Sequence, residues 1–166
     1  MKRFLSLDRT LTERLRSYGK GSLEFWKFIA SKGMLGFVGI WIGVAGMGWM
    51  MWWEPLVPLV LSYVTLLIVQ AIVKRERQNF EKISGYKMWI RTYSFPSGHS
   101  TESAVLAFAL ALYPAYPDAV LFSVVCGLLS LLCLLVVYSR IAVGVHYVTD
   151  VIAGLCLGTL YAVAFM

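Results

Sequence analysis

The sequence predicts an all-α integral membrane helical bundle of about five transmembrane helices, preceded by a basic, amphipathic interfacial N-terminal segment. Three observations carry this. The chain is 59% hydrophobic with a mean hydropathy of +0.72, more apolar surface than a 166-residue soluble domain can hide, so lipid is the expected solvent. Uncharged runs long enough for a hydrocarbon core of about 30 Å follow one another along the chain. The fifteen lysines and arginines fall to one side of the predicted spans, while the opposite connectors hold only Glu54 and Asp118. The net charge of +6 therefore points to a bilayer and anionic lipid as partners, and no nucleic acid is expected.

Two regions follow from this: residues 1–32 as the interfacial segment and 33–166 as the membrane-embedded domain. From Met1 to Gly21, Lys2, Arg3, Arg9, Arg14, Arg16 and Lys20 alternate with Phe4, Leu7, Leu11 and Leu15 at helical spacing. That pattern suits a helix lying on the membrane surface, or one docked on the rest of the protein. Leu23 to Ile29, with Phe25, Trp26 and Phe28, reads as an aromatic interfacial anchor. About thirty mixed-charge residues before the first apolar run argue against a removable secretory signal.

Gly33 to Trp53 is the first predicted span, closed by an aromatic belt of Trp49, Trp52 and Trp53. Glu54-Pro55 marks a turn, and Leu56 to Val73 forms the second span, ending at Lys74-Arg75-Glu76-Arg77. Residues 74–94 are polar and basic and belong outside the hydrocarbon. Ser100 to Tyr113 is the third span, Ala119 to Tyr138 the fourth, and Ala142 to Met166 the fifth. In the last, Gly154 and Gly158 have the spacing that lets helices approach closely, with Gly144 nearby. Cys126, Cys133 and Cys156 lack disulfide or zinc spacing and are expected to pack as small apolar residues; no metal site or cofactor is expected.

Polar groups between apolar segments mark the candidate site. His146 and Asp150 stand four residues apart near a helix start, so a carboxylate can accept the imidazole Nδ1 proton and leave Nε2 as a lone-pair donor. Taken alone, the same pair can equally close an interhelical contact. Ionisable groups at membrane depth are costly, which favours function. Arg140 offers a planar fork for phosphate oxygens, or a snorkelling anchor at a helix end. Pro96-Ser97-Gly98-His99 forms a turn into a helix, whose N–H groups and Ser97 hydroxyl suit an anion, with His99 placed to move a proton.

These residues resemble the type 2 phosphatidic acid phosphatases, membrane phosphatases related in their motifs to vanadium haloperoxidases. Pro96-Ser97-Gly98-His99 is similar to the second family motif and Ser139-Arg140-x5-His146-x3-Asp150 to the third, with 39 residues between His99 and Ser139. The resemblance implies a metal-independent phosphatase. In it His146 attacks phosphorus, Asp150 orients His146, and His99 protonates the leaving group and then activates water. Arg140, Ser97 and Gly98 hold the phosphoryl oxygens. The first family motif, Lys-x6-Arg-Pro, is altered here: the nearest frame is Arg75-x6-Lys82, which makes Arg75 and Lys82 further phosphate-binding candidates. Arg77 and Lys87 read instead as charges flanking a span. Family members commonly have six spans, and here the basic N-terminal segment stands where the first would be.

The implied substrate is a phosphorylated membrane lipid. Among lipid A 1-phosphate, phosphatidylglycerol phosphate and undecaprenyl pyrophosphate, the eight basic residues before Gly33 favour lipid A 1-phosphate. A lipid-to-lipid phosphotransferase and a non-catalytic phospholipid-binding protein are the competing classes. Charge asymmetry alone would place the basic face in the cytoplasm. The resemblance implies the bacterial inner membrane with the site on its extracytoplasmic face.

Overall fold

The computed structural model describes residues 2–48, 53–77, 93–112 and 118–165. The order is α1 (Lys2–Gly19), a 3-10 turn (Lys20–Ser22), α2 (Leu23–Gly46), α3 (Leu56–Val73), α4 (Gly98–Leu112), α5 (Ala119–Ala142) and α6 (Val148–Phe165). No strand occurs among the described residues.

Four helical stretches are long and apolar enough to cross a membrane: Leu5–Gly46, Leu56–Val73, Ala119–Ala142 and Val148–Phe165. The third predicted span is different in kind. At 15 residues α4 falls short of the usual crossing length, and nine of those residues are buried, which makes it the central post of the bundle. The long helices bury only narrow stripes, such as Pro58, Ser62, Leu66 and Gln70 on α3. Their other faces are apolar and outward, with Ile72 and Val120 about three-quarters exposed, as lipid-facing surfaces should be.

With no water to drive apolar faces together inside a bilayer, close packing has to hold the helices. Gly154 and Gly158 serve α6 against α4: a Cβ at these positions would lie 2.5 Å from the Ser97 carbonyl oxygen and 2.2 Å from that of Thr101. Gly33 serves α2 against α5, where a Cβ would meet Val136 at 2.6 Å. Phe37, Leu110, Leu129 and Val136 fill the space between α2, α4 and α5.

Several boundaries differ from expectation. The first crossing helix starts at Leu23, ten residues early, because charge keeps Glu24, Lys27 and Lys32 out of hydrocarbon without keeping them out of a helix. The Leu23–Ile29 anchor is therefore the start of α2. Phe25 and Phe28 are exposed, but Trp26 turns inward onto Ala30, Val143 and Val145 and stacks edge-on with Tyr138 at 4.7 Å. α5 continues through Ala142, so Ser139 and Arg140 occupy its last turn. Gly144, at φ +74°, belongs to the turn between α5 and α6 rather than to a helix interface. Trp49 and Trp52 of the expected belt lie outside the described residues.

The N-terminal segment is a helix, as expected, and it docks on the bundle. Its buried stripe is Asp8, Thr12 and Gly19, with Leu15 packed beside it. Leu7 and Leu11 of the predicted apolar stripe are exposed. Gly19 allows the contact, since a Cβ there would lie 2.9 Å from that of Ala142, and Tyr138 Oη donates to the Leu15 carbonyl at 2.9 Å.

Candidate active site

The site forms where the C-termini of α3 and α5 meet the N-termini of α4 and α6. Lys74 caps α3 in the left-handed region, at φ 49°, and turns the chain back so that Arg75 and Arg77 face the bundle. The Arg75 carbonyl accepts from Ser94 N at 2.8 Å, which joins this strand of chain to the turn before α4. Gln70 Nε2 donates to the Pro96 carbonyl at 2.9 Å. Ser97 N donates to the Asp150 carbonyl at 2.9 Å, tying α4 to the first turn of α6.

His146 lies in the short turn between α5 and α6, not on α6 itself as its spacing to Asp150 suggested. It is fully enclosed, and its backbone N–H donates to the Arg140 carbonyl at 3.3 Å. The partner of its Nδ1 is also different from the one expected. Nδ1 donates to the Ser94 carbonyl oxygen at 2.9 Å, whereas Asp150 Oδ2 stands 3.6 Å away, beyond hydrogen-bonding reach. A carbonyl can only accept, so the proton sits on Nδ1 and the lone pair on Nε2. Burial holds the imidazole down at about 4, with the charges of Arg140 and Arg77 acting in the same direction and that of Asp150 against them.

Asp150 has other duties. Its Oδ1 accepts from Arg75 Nη1 at 2.7 Å and its Oδ2 from Tyr147 N at 2.9 Å, so it caps α6 while facing His146. Arg75, expected to bind phosphate, is held by protein groups. Nη1 also donates to Thr149 Oγ1 at 2.6 Å and Nη2 to Asp8 Oδ2 at 2.6 Å, and the guanidinium stacks on the Tyr147 ring at 3.9 Å.

Arg77, rather than Arg75, reaches the free side of the His146 ring. Its Nη1 donates to His146 Nε2 at 3.3 Å, on the lone pair itself. In sequence it looked like one more charge flanking a span. The signal available was the helix stop at Lys74, which leaves room for a second basic side chain to turn inward. Lys82, the other first-motif candidate, lies outside the described residues, as does Lys87.

Arg140 is buried, and its Nη1 donates to the Ala30 carbonyl of α2 at 2.9 Å. Its charge bears on both His99 and His146. Ser97 is fully buried and its Oγ accepts from Ser100 Oγ at 3.0 Å, which leaves the Ser97 hydroxyl proton for another acceptor. His99 is half-buried in the first turn of α4, within the field of Arg140, His146 and Arg77. The structure thus brings His146, His99, Arg140 and Asp150 to one end of the bundle, with Ser97 and Gly98 at the head of α4.

A family model, the PAP2 superfamily, matches residues 55–166, which include every residue of the two intact motifs. The chain belongs to the PAP2 superfamily. The matched PAP2 segment runs from the start of α3 to the C terminus, and α1 and α2 lie outside it. A decaprenylphosphoryl-5-phosphoribose phosphatase from Mycolicibacterium smegmatis is 30% identical over 94 residues, 57% of this chain and 47% of the relative. The chain thus spans about half the length of that protein. The crystal structure of a transmembrane PAP2-type phosphatidylglycerolphosphate phosphatase from Bacillus subtilis is similar with a TM-score of 0.69. The match covers 95% of this chain and 83% of that one at 22% identity, a likeness of fold. Aquifex aeolicus LpxE gives a TM-score of 0.48 at 20% identity, over 95% and 84% of the two chains. The PAP2 fold and four long apolar helices make this a multi-pass membrane protein.

Proposed function

We propose that the protein hydrolyses a phosphomonoester or pyrophosphate headgroup of a membrane lipid, without a metal ion, through a phosphohistidine formed on His146. The observation that carries this reading is the tautomer of His146: Nδ1 is committed to the Ser94 carbonyl, and Nε2 keeps its lone pair directed at a guanidinium. A neutral, buried imidazole with that orientation is a nucleophile ready for an anionic electrophile.

In this scheme Nε2 attacks phosphorus and the bond from phosphorus to the lipid oxygen breaks. His99 gives that oxygen its proton. A water molecule, deprotonated by His99, then attacks phosphorus, the P–N bond breaks, and inorganic phosphate leaves. Arg77 and Arg140 hold the phosphoryl oxygens together with the Ser97 hydroxyl and the Gly98 N–H. Asp150, 3.6 Å from Nδ1, stabilises the positive charge on the imidazole ring during transfer.

For the headgroup, a groove of about 650 Å³ runs between α1 and the start of the site, lined by Ser6, Arg9, Thr10, Glu13, Glu76 and Tyr147 among others. Guanidinium and carboxylate groups beside hydroxyls suit a sugar-bearing headgroup. That keeps lipid A 1-phosphate first, ahead of phosphatidylglycerol phosphate and undecaprenyl pyrophosphate. A prenyl-linked phosphoribose lipid, named for the mycobacterial relative, joins the set.

The test is phosphate release by detergent-solubilised protein in EDTA over these four lipids. Wild type should exceed His146→Ala by at least a thousandfold on one of them. Equal release by the two proteins across the panel would leave a non-catalytic lipid binder, and turnover that depends on an added lipid acceptor would make it a phosphotransferase. The extracytoplasmic placement of the site is read from Met166→Cys with the three native cysteines replaced by alanine. Labelling only from the cytoplasmic side supports it, and labelling only from outside the cell contradicts it.

A further inference from the structure

Helix α6 begins with N–H groups that need acceptors, as every helix does. Asp150 Oδ2 serves Tyr147 N. The next two donors are served from the far end of the chain: Val148 N donates to Thr12 Oγ1 at 3.1 Å and Thr149 N to Asp8 Oδ1 at 3.2 Å. Asp8 Oδ2 also accepts from Thr149 Oγ1 and from Arg75 Nη2, each at 2.6 Å. Asp8 is only 5% exposed and Thr12 fully buried, a placement that a carboxylate tolerates when it is fully partnered, as here.

Arg75 consequently bridges two carboxylates, Asp8 on α1 and Asp150 on α6, at 2.6 and 2.7 Å. One positive charge shared between two negative ones leaves Asp150 with part of its charge uncompensated. That remainder is what can favour an imidazolium or phosphorylated ring 3.6 Å away. Were Arg75 to serve Asp150 alone, the guanidinium would neutralise it and draw it from His146. The carboxylate that prevents this comes from a helix outside the segment matched to the family.

We propose that Asp8 is a positioning residue for the reaction, acting through Arg75 to set the charge and place of Asp150 beside His146. Thr12 has only the capping part of this work. The inference rests on the phosphohistidine reading above, and one further arm separates the two.

The experiment compares kcat and KM for Asp8→Asn, Asp8→Glu, Thr12→Val, Arg75→Gln and the double variant Asp8→Asn/Arg75→Gln in detergent. Asp8→Asn should lower kcat about tenfold with KM within twofold, and Asp8→Glu should recover part of the loss. Thr12→Val should lower the melting temperature while kcat stays within twofold. The double variant should turn over no more slowly than Arg75→Gln, because Asp8 acts only through Arg75. A kcat for Asp8→Asn equal to wild type, or a double variant slowed by the product of the two single effects, overturns the proposal. If wild type releases no phosphate from any lipid, the functional reading fails. The inference is then decided by 15N-histidine spectra at pH 7 in a His99→Gln background, where His146 is the only histidine left. Asp8→Asn should shift the His146 ring signals and Thr12→Val should leave them in place; unchanged signals in Asp8→Asn overturn it. The same spectra decide the matter if Asp8→Asn is too unstable for kinetics, with Asp8→Ser, which removes the carboxylate and keeps an oxygen for the Thr149 N–H, in its place.

Discussion

Arg77 Nη1 lies 3.3 Å from His146 Nε2, so a guanidinium occupies the position that a phosphoryl group would need in the mechanism proposed for His146. Its Nη2 donates to the Tyr93 carbonyl at 3.3 Å, which gives the side chain a second support at the mouth of the site. A substrate anion would enter between the imidazole and the guanidinium and exchange one partner of Arg77 for another.

Arg77→Ala should therefore lower kcat/KM for phosphate release by about a hundredfold or more, the usual scale for losing one donor to a developing anion. Arg77→Lys should restore only part of it, since an ammonium lacks the planar fork. The check is steady-state kinetics on the best lipid of the panel; an Arg77→Ala enzyme within threefold of wild type would remove Arg77 from the phosphate clamp.

His146 is held down at about 4 by burial and by Arg140 and Arg77. At pH 5 about 90% of it should be neutral, against about 3% for an ordinary histidine with a pKa near 6.5. Since the folded value lies below the unfolded one, the unfolded chain binds the extra proton first, and stability falls as pH drops from about 6.5 to about 4. The ring nitrogens of 15N-labelled His99→Gln protein should titrate near 4, and a midpoint near 6.5 would contradict the closed environment described for His146.

Gly158→Ala places a methyl group 2.2 Å from the Thr101 carbonyl oxygen, and backbone cannot yield as a flexible side chain can. Overpacking of this kind costs about 1–3 kcal/mol. Separating α6 from α4 also strains the Ser97 to Asp150 backbone bond that joins the two halves of the site. A lower melting temperature and lower kcat are expected together. Gly43→Ala, with nothing within 4 Å, should leave both unchanged, and similar effects from the two substitutions would show that the α4–α6 contact is not special.

Much of this arrangement was legible in the residues. Apolar runs of sufficient length announce both ends of α3 and the start of α5, and the two intact motifs mark the helix ends that meet in the site. What escaped has physical causes. A charged residue in a surface turn of helix looks the same in sequence as one in a loop, so the start of α2 at Leu23 was hidden. The Nδ1 partner of His146 is a backbone carbonyl, and carbonyls carry no sequence signal; Asp150 was the only side-chain acceptor in view. Asp8 and Thr12, one turn apart within a basic segment, carry no pattern that sets them apart from a solvated face. Only the docking of α1, made possible by the bare Gly19 against Ala142, reveals that they are buried and cap α6. That Arg77 and not Arg75 reaches the His146 ring depends on the left-handed turn at Lys74, a conformation that lysine rarely announces.

The central claim is that His146 carries the phosphoryl group. The most direct measurement is rapid denaturation in alkali during turnover of a 32P-labelled lipid phosphate, followed by mapping of the protein-bound label. Alkali-stable, acid-labile label on the peptide containing His146, absent from His146→Ala, is the predicted result. Turnover in wild type with no label on His146 under these conditions, or label on another residue, would contradict it.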